Sequence, residues 1–166
     1  MINKLSNELT KRKIYHIIKN NYIHTKKSKI KIPKFNPDLT YLLGVIAGDG
    51  SLNQTIRKKG GYHYTFRIYS RGEKYLDFLN KIFKQYFKIK GKIIKDKRKN
   101  NSYHLVIKNA TLFFYFVING SEIGKKKGIL TKRAKENKKY FLNYLAGLVD
   151  ADGHIQKRRI QLKQKK

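Results

Sequence analysis

Two stretches of the 166-residue chain close on the dipeptide Asp-Gly, at Asp49-Gly50 and Asp152-Gly153. Each follows an apolar run, Leu42-Leu43-Gly44-Val45-Ile46-Ala47-Gly48 in one case and Leu145-Ala146-Gly147-Leu148-Val149-Asp150-Ala151 in the other, at an offset of 103 residues. A carboxylate at the C-terminal end of a helix faces the negative end of the helix dipole, and two such carboxylates side by side repel one another. A divalent cation offsets both costs, and carboxylate oxygens are the donors that Mg²⁺ or Mn²⁺ takes. A single Asp-Gly reads as an ordinary stop-and-turn dipeptide. Two copies in matched sequence, on a chain with 10 acidic residues against 40 basic ones, point instead to a shared metal site.

Such a site requires the two runs to be helices lying together. Asn36 is placed to N-cap the first, with Pro37 at its first position, and the helix over 37–48 is apolar nearly all round, the mark of a buried element. The second runs over 140–151. Gly44 and Gly147 stand at equivalent mid-helix positions, where glycine costs roughly 1 kcal/mol relative to alanine. With Ala47, Gly48, Ala146 and Ala151 they let two backbones approach closely and bring Asp49 near Asp152. A duplication of this kind implies pseudo-symmetric halves.

The intervening chain alternates strand and helix periodicities. Residues 51–57 and 62–70 alternate apolar with polar positions around a Lys58-Lys59-Gly60-Gly61 turn, as in a hairpin. Residues 73–88 carry Leu76, Leu79, Phe83 and Phe87 at helical spacing. A second hairpin is expected from 92–97 and 102–108, then a buried helix over 111–118. Ahead of this, residues 1–36 read as a basic leader with a loose helical stripe (Leu5, Leu9, Ile14, Ile17, Ile18) ending near Asn20-Asn21 and a charged linker from Lys26 to Pro33. The expected organisation is thus a helical leader over 1–36, a first half-domain over 37–119, a basic connector over 120–139, and the start of a second half over 140–166. Only one strand-like piece, from Ile155 to about Lys163, follows the second motif, so that half reads as incomplete.

A formal charge of +30 implies a polyanionic partner, because self-repulsion otherwise opposes the compact state, and nucleic acid is the foremost candidate. The absence of cysteine excludes disulfide scaffolds, Cys-ligated zinc and thiol nucleophiles. The five histidines have no zinc-site spacing. No apolar run approaches the length of a membrane span, and no signal peptide follows Met1, so an intracellular protein without a membrane partner is expected.

Leu145-Ala146-Gly147-Leu148-Val149-Asp150-Ala151-Asp152-Gly153 and, more loosely, Leu42–Gly50 resemble the two motifs of the LAGLIDADG homing endonuclease family, specifically its two-motif, archaeal-type members. The resemblance covers roughly Pro37 to the end. It implies an α+β fold, an αββαββα half-domain on a basic antiparallel sheet, and a phosphodiester hydrolase that makes a metal-dependent double-strand break in DNA. By position it makes Asp49 and Asp152 the metal-binding acids and the backbone carbonyls of Gly48 and Ala151 further ligands, for Mg²⁺ or Mn²⁺. Arg71 matches a position that stabilises charge, and Ser70 one that organises water, where an amide is usual. Gln164 and Lys165 fall at about the matching positions of the second half.

The same resemblance places the hairpins in the major groove, where arginine reads guanine bidentately. Asn53, Thr55, Arg57, His63, Thr65, Arg67 and Tyr69 are the expected base-facing set. Lys58, Lys59 and the tip Lys97-Arg98-Lys99 are expected on phosphate. The incomplete second half leaves three readings: a decayed two-motif enzyme, one piece of a split enzyme, or a chain that homodimerises through one motif. It also leaves two alternatives to cleavage, an RNA-binding intron maturase and a DNA-binding protein without nuclease activity.

Overall fold

The computed structural model describes residues 18–25, 28–57, 61–97, 102–126, 130–156 and 159–162, with side chains as far as Ala151, Lys19 apart. Asn36 accepts the Leu39 N–H at 3.1 Å and so caps helix α1 (Pro37–Gly48), with Pro37 in its first turn. Leu39, Leu42, Leu43, Val45 and Ile46 are all buried, as expected of a helix apolar on every side. The helix passes through Asp49 straight into β4 (Gly50–Ile56). Gly50 is required there, because a Cβ would lie 2.5 Å from the Ile46 Cα and 2.7 Å from its carbonyl oxygen.

Strand β5 (Tyr62–Ser70) returns antiparallel to β4, and the Arg57 N–H bonds the Gly61 carbonyl at the turn. Helix α2 (Glu73–Phe87) follows, and its C-terminus is closed by Lys88 in the left-handed region. Strands β6 (Lys92–Lys95) and β7 (Tyr103–Ile107) form the second hairpin, and α3 (Ala110–Ile118) is capped by the Asn109 side chain. The four strands make one sheet in the order β4-β5-β7-β6. Its inner face, Leu52, Phe66, Ile68, Leu105 and Ile107, is buried against α2 and α3. There Phe66 stacks on Phe116 at 5.3 Å between centroids and meets Phe83 edge-on at 5.4 Å. These contacts and the burial of both ring faces fix which side of the sheet stays open.

A 3₁₀ turn (Arg133–Lys135) precedes helix α4 (Lys138–Asp152), which runs into a two-stranded hairpin, β8 (Gly153–Gln156) and β9 (Arg159–Leu162). The expected single trailing strand is therefore a hairpin among the described residues. It begins at the glycine of the second Asp-Gly, as β4 begins at the glycine of the first.

The larger departure lies in the leader. Leu5, Leu9, Ile14 and Ile17 fall outside the described residues, but Ile18 lies on a strand rather than at the end of a helix. Strands β1 (Ile18–Lys19), β2 (Tyr22–His24) and β3 (Lys29–Lys31) form a small antiparallel sheet that occupies part of the expected linker. Asn20 and Asn21 both have positive φ, 50° and 60°, and join β1 to β2 as the two-residue loop whose twist suits a hairpin. Ile23 is fully buried and Ile30 nearly so, both in the main core, and Ser28 Oγ lies 3.3 Å from Thr111 Oγ1 at the start of α3. The small sheet is thus part of the domain on its helical side. Replacing Ile23 with alanine removes buried volume from this junction and should lower stability by about 2–5 kcal/mol in urea unfolding. A change within experimental scatter would mean that the small sheet is a detached arm.

Candidate metal and nucleic-acid site

The site is built on the contact between α1 and α4. A Cβ on Gly44 would run into the Tyr144 carbonyl oxygen and lie 2.9 Å from the Leu148 nitrogen. A Cβ on Gly147 would run into the Tyr41 carbonyl oxygen and lie 3.0 Å from the Val45 nitrogen. Tyr41 and Tyr144, like Val45 and Leu148, are separated by the same offset as the motifs, so the contact is pseudo-symmetric. At the N-terminal ends Tyr140 donates to the Phe35 carbonyl at 3.2 Å, and the two rings meet at 5.3 Å. The helices therefore run in the same direction, and their C-terminal ends, Gly48-Asp49 and Ala151-Asp152, lie at one end of the pair.

Asp49 is fixed by its backbone between helix and sheet. Its N–H bonds the Val45 carbonyl at 3.0 Å, and its carbonyl accepts the Tyr69 N–H at 3.1 Å. The Asp152 backbone lies in the last turn of α4, and its side chain lies outside those described. Among the described residues no three His, Cys, Asp or Glu side chains gather as a metal cage. The donors that the resemblance implies are instead mixed, a carboxylate with helix-terminal carbonyls. One of these, Gly48, accepts a hydrogen bond from the ammonium of Lys126 in the connector. A cation thus already sits on the carbonyl that the motif assigns to metal. Hard oxygen donors at a helix C-terminus suit a divalent ion.

Lys126 was hidden in the sequence by its neighbours Lys125 and Lys127, since nothing in a lysine run marks the member that folds back. It lines a small cavity of about 30 Å³ with Leu43, Ala47, Glu122, Thr131 and Tyr144. Burial and then the charge of Glu122 push the Tyr144 phenol above its usual range.

The opposite flank is built differently. Tyr41 donates to Asp150 Oδ2 at 2.7 Å, and its oxygen lies 3.1 Å from that of Tyr75 on α2. Tyr41 gives its only hydroxyl hydrogen to Asp150, so Tyr75 is the donor to Tyr41. Burial first, then these bonds, raises the Tyr41 phenol far above its ordinary value. Tyr75 is pushed up to about 12, chiefly by burial and further by the charges of Asp150 and Asp49. Both shifts favour the protonated phenol. Asp150 is the sixth residue of the second motif, and its counterpart in the first is Ala47.

The open face of the four-stranded sheet carries the expected polar set in cross-strand pairs: Ser51 opposite Arg67, Asn53 opposite Thr65, and Thr55 opposite His63. Arg67 continues across the sheet to Val106 and Lys92, and Tyr69 to His104 and Ile94. Thr55, His63 and Tyr69 are exposed, while Asn53, Thr65 and Arg67 are half-buried. Arg57 lies beyond the end of β4, at the turn, with its Nε buried. Ile56, expected on the greasy face, is 79% exposed because the hairpin extends past the helices that cover Leu52. Ser70 Oγ accepts the Gly72 N–H at 3.0 Å, so its first task is to shape the turn into α2; Arg71 is exposed beside it. Lys97 is exposed in the turn after β6. Lys58, Lys59, Arg98, Lys99, Gln164 and Lys165 lie outside the described residues.

No model of a known protein family matches the chain. An uncharacterized protein of Methanocaldococcus jannaschii is 25% identical over 156 residues, covering 93% of this chain and 53% of its own length. The chain therefore spans about half the length of that curated relative. Solved structures of I-DmoI share the fold. One bound to target DNA in the presence of Mn is similar with a TM-score of 0.57 at 22% identity, over 76% of this chain and 65% of that one. Another, in complex with DNA and Ca, gives 0.56 at 22% identity, over 76% and 62%. A third, of mesophilic variants from the homing endonuclease I-DmoI, gives 0.55 at 22% identity, over 76% and 63%. The chain has the α+β fold of this homing endonuclease.

The contact itself is open to a direct perturbation. Gly44→Ala puts a methyl group into the backbone of the partner helix, and should cost about 1–3 kcal/mol or more in thermal or urea unfolding. The gain in helix propensity from alanine works in the opposite direction. A variant as stable as the parent would mean that the two backbones do not meet at this position.

Proposed function

We propose that the chain is a DNA endonuclease of the LAGLIDADG homing class, hydrolysing phosphodiesters of duplex DNA with a divalent metal. The observation that carries this reading is the glycine-to-glycine contact that sets the two Asp-bearing helix ends at one end of the pair. The expected neighbours of that end are the open, polar face of the sheet and a chain of net charge +30. Supporting it are the solved structures of similar fold in complex with DNA, one in the presence of Mn and one with Ca.

In this reading the duplex lies on the open sheet face. Arg67 and the paired Asn53, Thr65, Thr55 and His63 meet base edges, with arginine the strongest single reader. Lys92, Lys95 and Lys97 hold phosphate and set the register. Asp49 and Asp152, with the carbonyls of Gly48 and Ala151, hold Mg²⁺ or Mn²⁺. The bound ion supplies an activated water and a Lewis acid at the scissile phosphate. Lys126 reaches the Gly48 carbonyl beside the first acid, where its ammonium also faces charge that develops on the phosphate. Arg71 offers a second cation from the end of β5. Asp150 bears no metal in this scheme; Tyr41 holds its carboxylate, and Tyr75 holds Tyr41.

The test uses a library of DNA duplexes with randomised sites, incubated with the full chain and Mg²⁺ or Mn²⁺, with new ends mapped by sequencing. The parent should nick or break a restricted set of sites. Asp49→Asn should abolish those ends while leaving duplex binding in place, and Lys126→Met should slow their formation by roughly 10²-fold. Unchanged cleavage in Asp49→Asn would refute the assignment. Duplex binding without cleavage under either ion would identify a DNA-binding protein on the nuclease scaffold.

A further inference from the structure

The open sheet face accounts for only part of the chain's positive charge. Two acid-free segments, residues 18–36 and 78–91, meet on the other side of the molecule. The first contains the small sheet, packed on the helical layer, and the second the C-terminal half of α2 with the turn that follows. Where they approach, Asn21, Lys31, Ile32, Pro33, Lys34 and Tyr86 line an open groove. Lys31 and Lys34 are exposed, as are Lys29 on the same strand and Lys81, Lys84, Lys88 and Lys90 on and after α2. The one carboxylate tied to this groove is Asp38, which accepts a hydrogen bond of 2.5 Å from the Tyr86 hydroxyl. Asp38 keeps its charge, and the two lining lysines outnumber it.

The groove is shaped rather than incidental. Asn20 and Asn21 hold the positive-φ turn that forms one wall, and the Ile32 N–H bonds the Asn21 carbonyl at 2.7 Å to fix that wall against the strand beyond. Tyr86 forms the other wall, its hydroxyl anchored on Asp38. Lys31 and Lys34 are thus carried on one fixed wall, with Tyr86 on the other. Like charges held together in this way repel, and a polyanion relieves that repulsion while releasing its own condensed counterions. The duplex on the open sheet face cannot supply it, because the sheet and its helices stand between.

We propose that this groove binds a second phosphodiester backbone, so that the chain holds two nucleic-acid segments on opposite faces. Lys31 and Lys34 contact phosphate, and Asn21 adds a hydrogen bond. The proposal does not depend on the nuclease reading, since it concerns a face that carries none of the motif residues.

The experiment counts short DNA duplexes bound per chain at low salt, by sedimentation and fluorescence titration, and repeats the count with an RNA hairpin. The parent should bind two segments. Lys31→Glu with Lys34→Glu should bind one at parental affinity and the other about tenfold more weakly or worse, with the salt slope of that second event reduced by about 2. Arg67→Glu should weaken the other event and spare this one. Lys132→Glu with Lys135→Glu, an equal charge change at an exposed site elsewhere, should leave both in place. A stoichiometry of one for the parent, or equal losses in the two double variants, would overturn the proposal. If RNA displaces duplex from the groove at lower concentration than duplex displaces RNA, the second segment is RNA; the reverse order makes it DNA. Cleavage is not read in any arm, so a failed nuclease reading and a failed second site are separately visible.

Discussion

The fold depends on the approach of two helix backbones through glycine. At Gly44 and Gly147 there is no room for a methyl group, because a backbone atom of the opposite helix already stands where it would go. A mid-helix glycine costs roughly 1 kcal/mol in each helix, and burial of Leu42, Val45 and Tyr144 around the contact offsets it. The register and parallel direction set by this contact decide that Gly48-Asp49 and Ala151-Asp152 lie at the same end. The Asp-Gly that follows each helix has a second constraint, visible at Gly50, where the strand starts against the helix it has just left. The repeat of nine residues therefore encodes packing in its glycines, and the proposed function puts the chemistry in its acids.

The pseudo-symmetry of that contact does not extend to its flanks. On one side Asp150, Tyr41 and Tyr75 bind α4, α1 and α2 together through two hydrogen bonds. On the other, the equivalents of Tyr41 and Asp150 are Tyr144 and Ala47, and the space beside them is lined by Glu122 and Lys126. One helix end is held by a phenol chain whose protons are retained by burial. The other is met by an ammonium from the connector. The two halves of the site are chemically unequal although they descend from matching sequence.

Much of this was legible in the sequence, and the reasons are local. Helix α1 and strand β5 have the bounds that capping, proline and alternation imply, and the paired glycines announced the close approach. What was not legible is tertiary. A strand of two or three residues has no periodicity to detect, so the sequence of β1 to β3 reads as helix and linker; the Asn20-Asn21 turn is their one local signal. Lys126 is chosen from a lysine run by the fold. The bond from Tyr41 to Asp150 joins residues 109 apart in the chain, and neither residue type in isolation predicts it. Ile56 obeys the alternation and is still exposed, because burial depends on how far the covering helices reach.

In the proposed function the paired helix ends share a divalent ion between their acids. The most direct measurement of this sharing is the anomalous signal of Mn²⁺ in crystals of the chain with duplex DNA. The account predicts a peak within coordination distance of the Asp49 and Asp152 carboxylates. Manganese bound elsewhere, with these two carboxylates ligating nothing, would contradict it.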